Sequence, residues 1–317
     1  MPIEDRIINV CLCCDNNYAQ HMGVTLASIL ANKNQEDLIN ICILDGGISY
    51  QNKEKIKQLC NIADFGVEFL SVNKEKFSQC PIQDWTHLSL TAYYILLLPA
   101  LKQGWDKIIY LDCDTVVKTS LRDLFNTELS DNYIAAITDI SEEKHKNRLD
   151  LEHYINSGVI IFNAKKWRED DVSSKIFSWI EKNGNKIVLH DQDILNAVLN
   201  DKILILDNKW NAQIIRDFDK EKAKEWECAN ILHFIHKKKP WLSYNGDKFT
   251  AEYIKYLKLT PWKNFLFKYY LLIVPVSIFK KVLTFIFEIK NQRNTNKKII
   301  TILGFKFTKI RKSAAQA

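Results

Sequence analysis

The sequence predicts a doubly wound α/β domain followed by a basic, aromatic tail, and three observations carry that prediction. Apolar runs of strand length alternate with segments of helical spacing over the first seventy or so residues, the order of a parallel sheet with helices on its faces. A later run, Lys107-Ile-Ile-Tyr-Leu-Asp-Cys-Asp-Thr-Val-Val117, ends in two carboxylates, Asp112 and Asp114, and ligands collect at the carboxyl ends of strands in open α/β sheets. From Trp262 onward twelve Lys/Arg stand against one acid, Glu288, a net +11, whereas the preceding 261 residues carry 32 basic and 37 acidic groups, a net −5.

The elements follow in order. Ile7 to Cys14 reads as a buried strand ending at Asp15-Asn-Asn-Tyr18, and Ala19 to Asn32 has helical spacing. Ile39 to Leu44 is a second strand closed by the turn signal Asp45-Gly-Gly47. Asn52 to Ile62 reads as a lysine-rich helix and Val67 to Val72 as a third strand. Leu88 to Leu101 is apolar with helical spacing and contains Tyr93-Tyr94; the Asp112/Asp114 strand follows Gly104. Tyr133 to Thr138 is a strand ending at Asp139, and His153 to Asn163 a loop and strand. A helix opens at Lys165 and runs to about Asn183. His190-Asp-Gln-Asp-Ile-Leu-Asn196 begins another helix, Ile203 to Asp207 and Ile231 to Phe234 are short strands, and Asn208 to Glu227 is a polar excursion.

Residues i and i+2 of extended backbone share a face, so Asp112 and Asp114 converge on one point. Two converging acids repel unless a cation lies between them, and oxygen ligands of this type suit Mg or Mn. The same residues admit two other readings. They cap a strand and begin a turn, or, with Thr115, they match the Asp-X-Asp-X-Thr pattern of phosphatases with an aspartyl nucleophile. The pair alone says metal and phosphate. Asp15 and Asn17, after the first strand, suit a ribose or a base, or simply form the turn. Asp191 and Asp193 suit the positive end of a helix. His233-Phe-Ile-His-Lys-Lys-Lys-Pro-Trp241 is either a solvated basic loop or a strand-end metal histidine followed by diphosphate-binding lysines.

At 317 residues the chain suffices for one large domain or two small ones, and 47% hydrophobic with 26% charged residues describes a folded protein. Met-Pro-Ile-Glu-Asp-Arg lacks a basic region with an apolar core behind it, so no signal peptide is expected. Eight cysteines, several within apparent core strands, read as free thiols of a reducing cytosol more readily than as the metal set that Cys11, Cys13 and Cys14 suggest.

Taken in this order over roughly residues 7 to 242, the motifs resemble the retaining glycosyltransferases of family 8, most closely the compact bacterial galactosyl- and glucosyltransferases of lipopolysaccharide outer core. The resemblance implies a single Rossmann-like, nucleotide-sugar-binding domain of the GT-A type over residues 1–258. It implies a UDP-sugar donor held by Asp15, Asn17, Asp112, Asp139, Asn156 and Lys239, with Mn or Mg on Asp112, Asp114 and His233. Asp191 and Gln192 match the pair beside the anomeric carbon. Because a neutral amide is a poor nucleophile, same-face attack assisted by the departing phosphate is expected, with a covalent step on Asp191 as the alternative. The sequence departs from the family at Ile95, where an arginine usually follows the two tyrosines, and at His236, where a small residue is common. With Ile95 in that place, a weakly catalytic nucleotide-sugar-binding or scaffolding protein is the other functional class.

Residues 259–317 are expected to form a basic amphipathic region lying in an anionic membrane surface. The longest apolar run, Tyr269 to Phe279, contains Pro275 and is short of the ~20 residues a bilayer span needs. A last helix packed on the core is the other reading. Binding of nucleic acid is not expected, since no RNA-binding motif appears. Together with the resemblance, this places the chain in the cytoplasm, on the inner face of the cell membrane, acting on a lipid-linked oligosaccharide.

Overall fold

Three of the apolar runs become neighbouring parallel strands, because they are buried on both faces and have helices between them. A computed structural model of the chain describes residues 2–310 apart from 79, 82–89, 216–219, 236–238, 245 and 292–296. Strands β1 (Ile7–Cys14), β2 (Leu38–Asp45), β3 (Phe65–Ser71), β4 (Lys107–Leu111), β6 (Ile134–Thr138), β7 (Ile155–Asn163) and β8 (Ile203–Ile205) form one sheet in the order β3-β2-β1-β4-β7-β6-β8. Only β7 runs against its neighbours. The carboxyl ends of β1, β4 and β6 and the amino end of β7 therefore meet at one edge. The chain reverses its direction of travel across the sheet between β1 and β4, the position where open α/β sheets bind ligands.

A smaller sheet sets the depth of that edge. β5 (Thr115–Val117) pairs antiparallel with β10 (Ile231–His233), which pairs in parallel with β9 (Ala212–Gln213). Thr115 lies opposite His233 in this register. The helix Ala19–Asn32 packs against β5 and is buried along most of its length. Its polar groups are satisfied there: the Thr25 hydroxyl donates to the Thr115 carbonyl at 2.8 Å, and the Val117 amide donates to Ser28 Oγ at 2.9 Å.

Several expectations shift. Leu90–Leu97 is a 3-10 helix continued by the short α-helix Leu98–Leu101 with Pro99 in its first turn, while Leu88 lies outside the described residues. Ile95 is fully buried in the apolar core with Tyr93, Tyr94 and Phe77. The helix expected from Lys165 to Asn183 is two, Ala164–Glu169 and Val172–Asn183, broken where Asp171 takes φ 47°. The polar excursion after Asn208 contains β9, the buried Trp210 and the helix Lys220–Glu227.

Two compact units divide the chain: residues 1–237 with 252–263, and residues 238–251 with 264–317. Within the first, Tyr253 Oη lies 2.7 Å from His21 Nδ1 and Tyr256 Oη accepts from Asn32 Nδ2 at 2.8 Å, so the later segment is fastened to the buried helix. In the second, Phe265–Ile286 is a continuous helical stretch of 22 residues, largely exposed, passing from α through a π turn to α. Pro275 lies just past the π turn inside this stretch, where a proline removes a helical hydrogen bond and distorts the backbone. By length and composition this stretch is long and apolar enough to cross a membrane, which corrects the expectation of too short a run. Behind it, β11 (Phe287–Asn291), β12 (Lys297–Ile302) and β13 (Phe305–Ile310) form an antiparallel meander that the sequence reading did not anticipate.

Candidate active site

Asp112 and Asp114 follow β4, and the β5–β10 pairing carries His233 to them. Ligand atoms of the three lie within 4.8 Å of one another, the only such group among the described residues. His233 Nε2 is 3.2 Å from Asp114 Oδ1 and 3.5 Å from Asp112 Oδ2. His233 Nδ1 is 3.0 Å from Asn211 Oδ1. That contact fixes the ring and, with the proton on Nδ1, leaves Nε2 facing the carboxylates as a ligand. Tyr110 donates its hydroxyl to Asp112 Oδ1 at 2.9 Å. Backbone, not a side chain, closes the last side. A Cβ added to Gly158 would lie 2.1 Å from His233 Cε1 and 2.8 Å from Asp112 Oδ2.

A register shift between Ala136 and Ile137 makes this approach possible: Ala136 pairs with Ile160 but Ile137 with Asn156. The residues of β7 between these pairs leave the β6 ladder but stay on β4: Leu111 pairs with Val159, and the Asp112 amide donates to the Gly158 carbonyl at 2.8 Å. Asn156, at the start of the bulge, ties two groups together. Its Oδ1 accepts from Asn211 Nδ2 at 2.8 Å and from the Gly158 amide at 3.1 Å, and its Nδ2 donates to Asp139 Oδ2 and Gln192 Oε1, each at 3.2 Å. Gln192 Nε2 in turn reaches Asp139 Oδ2 at 3.2 Å. Asp139, Asn156 and Gln192 thus form one buried network joined to the metal-type cluster through Asn211.

Asp191 sits beside this network. Burial, reinforced by the charge of Asp112, pushes its carboxyl up to about 8, against a hydrogen bond from Ser157. Asp193 differs from its neighbour. Its carboxylate is fully buried and accepts from the Val188 and Leu189 amides at 2.7 and 2.8 Å, from Tyr154 and from Arg148, so it anchors the first turn of His190–Leu199. Asp15 turns back on its own loop, its Oδ1 accepting from the Asn17 and Tyr18 amides at 2.9 and 3.1 Å. Asn17 is exposed in that turn. Lys239 belongs to the second unit, where its carbonyl accepts from the Leu242 and Ser243 amides. His236 lies outside the described residues. Asn211, Gly158 and Tyr110 were not singled out in the sequence; the Asn-Ser-Gly run opening β7 was the available signal for Gly158.

The donor set fits a hard divalent cation: two carboxylates and one oriented imidazole. Burial works against charge on His233, yet Asp114 and Asp112 outweigh it and hold the imidazole up to about 9. A proton on Nε2 occupies the place of the cation. A bound cation must displace that proton, so below pH 9 its affinity should fall by about tenfold per pH unit. Calorimetric titration with Mn between pH 6 and 8.5 reads this slope; an affinity flat across that range would remove His233 from the ligand set.

Residues 9–245 match the family described as "Glycosyl transferase family 8". General stress protein A of Bacillus subtilis is 30% identical over 278 residues, which is 82% of this chain and 96% of its own. A lipopolysaccharide 1,2-glucosyltransferase of Escherichia coli is 28% identical over 84% of this chain and 82% of its own. The crystal structure of galactosyltransferase LgtC with donor and acceptor sugar analogs aligns with a TM-score of 0.70 and 26% identity, covering 81% of this chain and all of that one.

Proposed function

This chain belongs to glycosyl transferase family 8 and is a hexosyltransferase, and from that premise we propose that it moves galactose or glucose from a UDP-sugar to a saccharide acceptor with retention at the anomeric carbon. The observation that carries this reading is the single hydrogen-bonded array linking Asp112, Asp114 and His233 to Asp139, Asn156 and Gln192. One end suits a charged diphosphate and the other a polyhydroxylated ring. Family membership sets aside the aspartyl-phosphatase reading of Asp112.

Asp112, Asp114 and His233 would hold the cation, Mn or Mg, which when bound neutralises charge on the departing diphosphate. Asp139, Asn156 and Gln192 present fixed donors and acceptors to the sugar hydroxyls, orienting the anomeric carbon. The Gln192 amide, committed to Asn156, Ser157 and Asp139, is a scaffold for the ring and not a nucleophile. Burial and the charge of Asp112 raise the Asp191 carboxyl, and positive charge nearby favours its ionised form. An oxocarbenium-like carbon is such a charge, and a desolvated carboxylate stabilises it more strongly than a solvated one. Attack from the same face then needs no covalent step.

The named lipopolysaccharide enzymes among the relatives support lipopolysaccharide or lipooligosaccharide core as the context. The acceptor is then a lipid-linked oligosaccharide, and residues 259–317 hold the enzyme on the anionic inner face of the cell membrane, in the cytoplasm. A panel of UDP-sugars with purified protein tests the reaction. UDP release should require Mn and select one hexose, and the product should keep the α configuration by its anomeric proton coupling. A β linkage, or no release from any UDP-hexose, would overturn the reading.

A further inference from the structure

The meander of the second unit has its polarity inverted. Residues directly opposite in an antiparallel pair share a face. Phe287 pairs with Ile302, Ile302 with Phe305, and Ile300 with Phe307, so these five side chains occupy one face of the sheet. That face is exposed: Phe305 by 71%, Phe307 by 56%, Phe287 by 55% and Ile302 by 45%. The opposite face carries the buried Thr301 and the half-buried Ile299, together with the exposed Lys306 and Thr308. A water-facing sheet reads the other way, polar out and apolar in.

The β12–β13 turn repeats the anomaly. Leu303 and Gly304 form a two-residue hairpin loop with φ 49° and 81°. Two positive values define the I′ type, which favours Asn-Gly and disfavours a bulky side chain in the first place. Here a leucine takes that strained position and is 59% exposed. The loop is fastened to the helix before it: the Leu303 amide donates to the Ile286 carbonyl at 3.0 Å, the Gly304 amide to the Phe285 carbonyl at 2.7 Å, and the Phe285 ring fills the space beside Gly304. The helix end adds exposed Phe279, Val282, Leu283 and Phe285. Apolar surface this continuous marks an interaction site.

We propose that the Leu303–Gly304 tip and the aromatic face of β11–β13 insert into the acyl region of an anionic bilayer, so that a β-hairpin, and not the helix alone, is the membrane-entering element. The inference rests on the membrane reading above and assigns its contact surface. Charge selects the occupant. The region from Trp262 carries a net +11, so a second copy of the same surface is repelled, whereas anionic headgroups are attracted.

The test uses the full chain with phosphatidylglycerol-containing and pure phosphatidylcholine vesicles. Leu303→Asn supplies the side chain this turn prefers, so it removes the apolar tip without weakening the hairpin; Phe305→Thr removes a face residue while keeping strand propensity. Each should lower partition into anionic vesicles by about tenfold at high salt, where headgroup attraction is screened. UDP release without vesicles should be unchanged. If wild type binds vesicles and both variants bind equally well, the hairpin inference falls and the membrane reading survives. If wild type binds no vesicle, both fall. If wild type sediments as a dimer that Leu303→Asn separates, the face is a self-association surface and the inference falls.

Discussion

Asparagine in place of Asp114 should lower hexosyl transfer by about 10³-fold while the protein stays folded. Asp114 is the strongest influence holding His233 in its charged form and lies 3.2 Å from Nε2. The substitution keeps the shape but turns one acceptor oxygen into an NH2 donor and removes the charge, so a cation loses a ligand of full negative charge. The position lies in the turn before β5 instead of filling the core, and its neighbours Val116 and Val117 supply the packing. The melting temperature should therefore move by only a few degrees, in line with about 1 kcal/mol from one altered polar contact. Mn-dependent UDP release and a thermal melt on the same preparation separate the two effects. Near wild-type release with saturating Mn would mean that the charge of Asp114 is not used.

The sequence reading reached the parts of this site that announce themselves locally. β1, β2 and β4 are buried on both faces, so they appear as uninterrupted apolar runs, and Asp112 and Asp114 stand out because charge follows such a run. His233 was reachable for the same reason, as a titratable residue at a strand end. Asn211 was not: its importance comes from pairing with His233 and Asn156, residues 22 and 55 positions away, and an asparagine after a tryptophan carries no such signal. The direction of β7 was likewise invisible, since a buried antiparallel strand and a buried parallel one have the same composition. The bulge that brings Gly158 to the cluster was invisible as well. The meander escaped because Lys and Asn interrupt its strands, and its apolar alternation faces outward. Ile95 illustrates the reverse case. The resemblance expected an arginine there, and the fold surrounds that position with apolar side chains.

Alanine in place of Gly158 should weaken cation binding severely although it adds a single methyl group. The added Cβ would stand 2.1 Å from His233 Cε1, 2.8 Å from Nδ1 and 2.8 Å from Asp112 Oδ2, far inside van der Waals contact. Backbone retreat is resisted on the β4 side, where Leu111 pairs with Val159 and the Gly158 carbonyl holds the Asp112 amide at 2.8 Å. The imidazole must yield instead. It is itself buried, so rotating away breaks both its approach to the carboxylates and its contact with Asn211. Overpacking of this kind costs about 1–3 kcal/mol of stability, and loss of the oriented ligand should weaken Mn binding by at least about 100-fold. A double-mutant cycle separates a clash with the imidazole from a general disruption. With His233→Ala already in place, the clash with the imidazole is gone and only the 2.8 Å approach to Asp112 Oδ2 remains, so adding Gly158→Ala should cost far less Mn affinity and stability than it costs the wild type. Additive losses would locate the damage elsewhere in β7, and Mn binding by Gly158→Ala at wild-type affinity would show that the cation does not sit between His233 and the two aspartates.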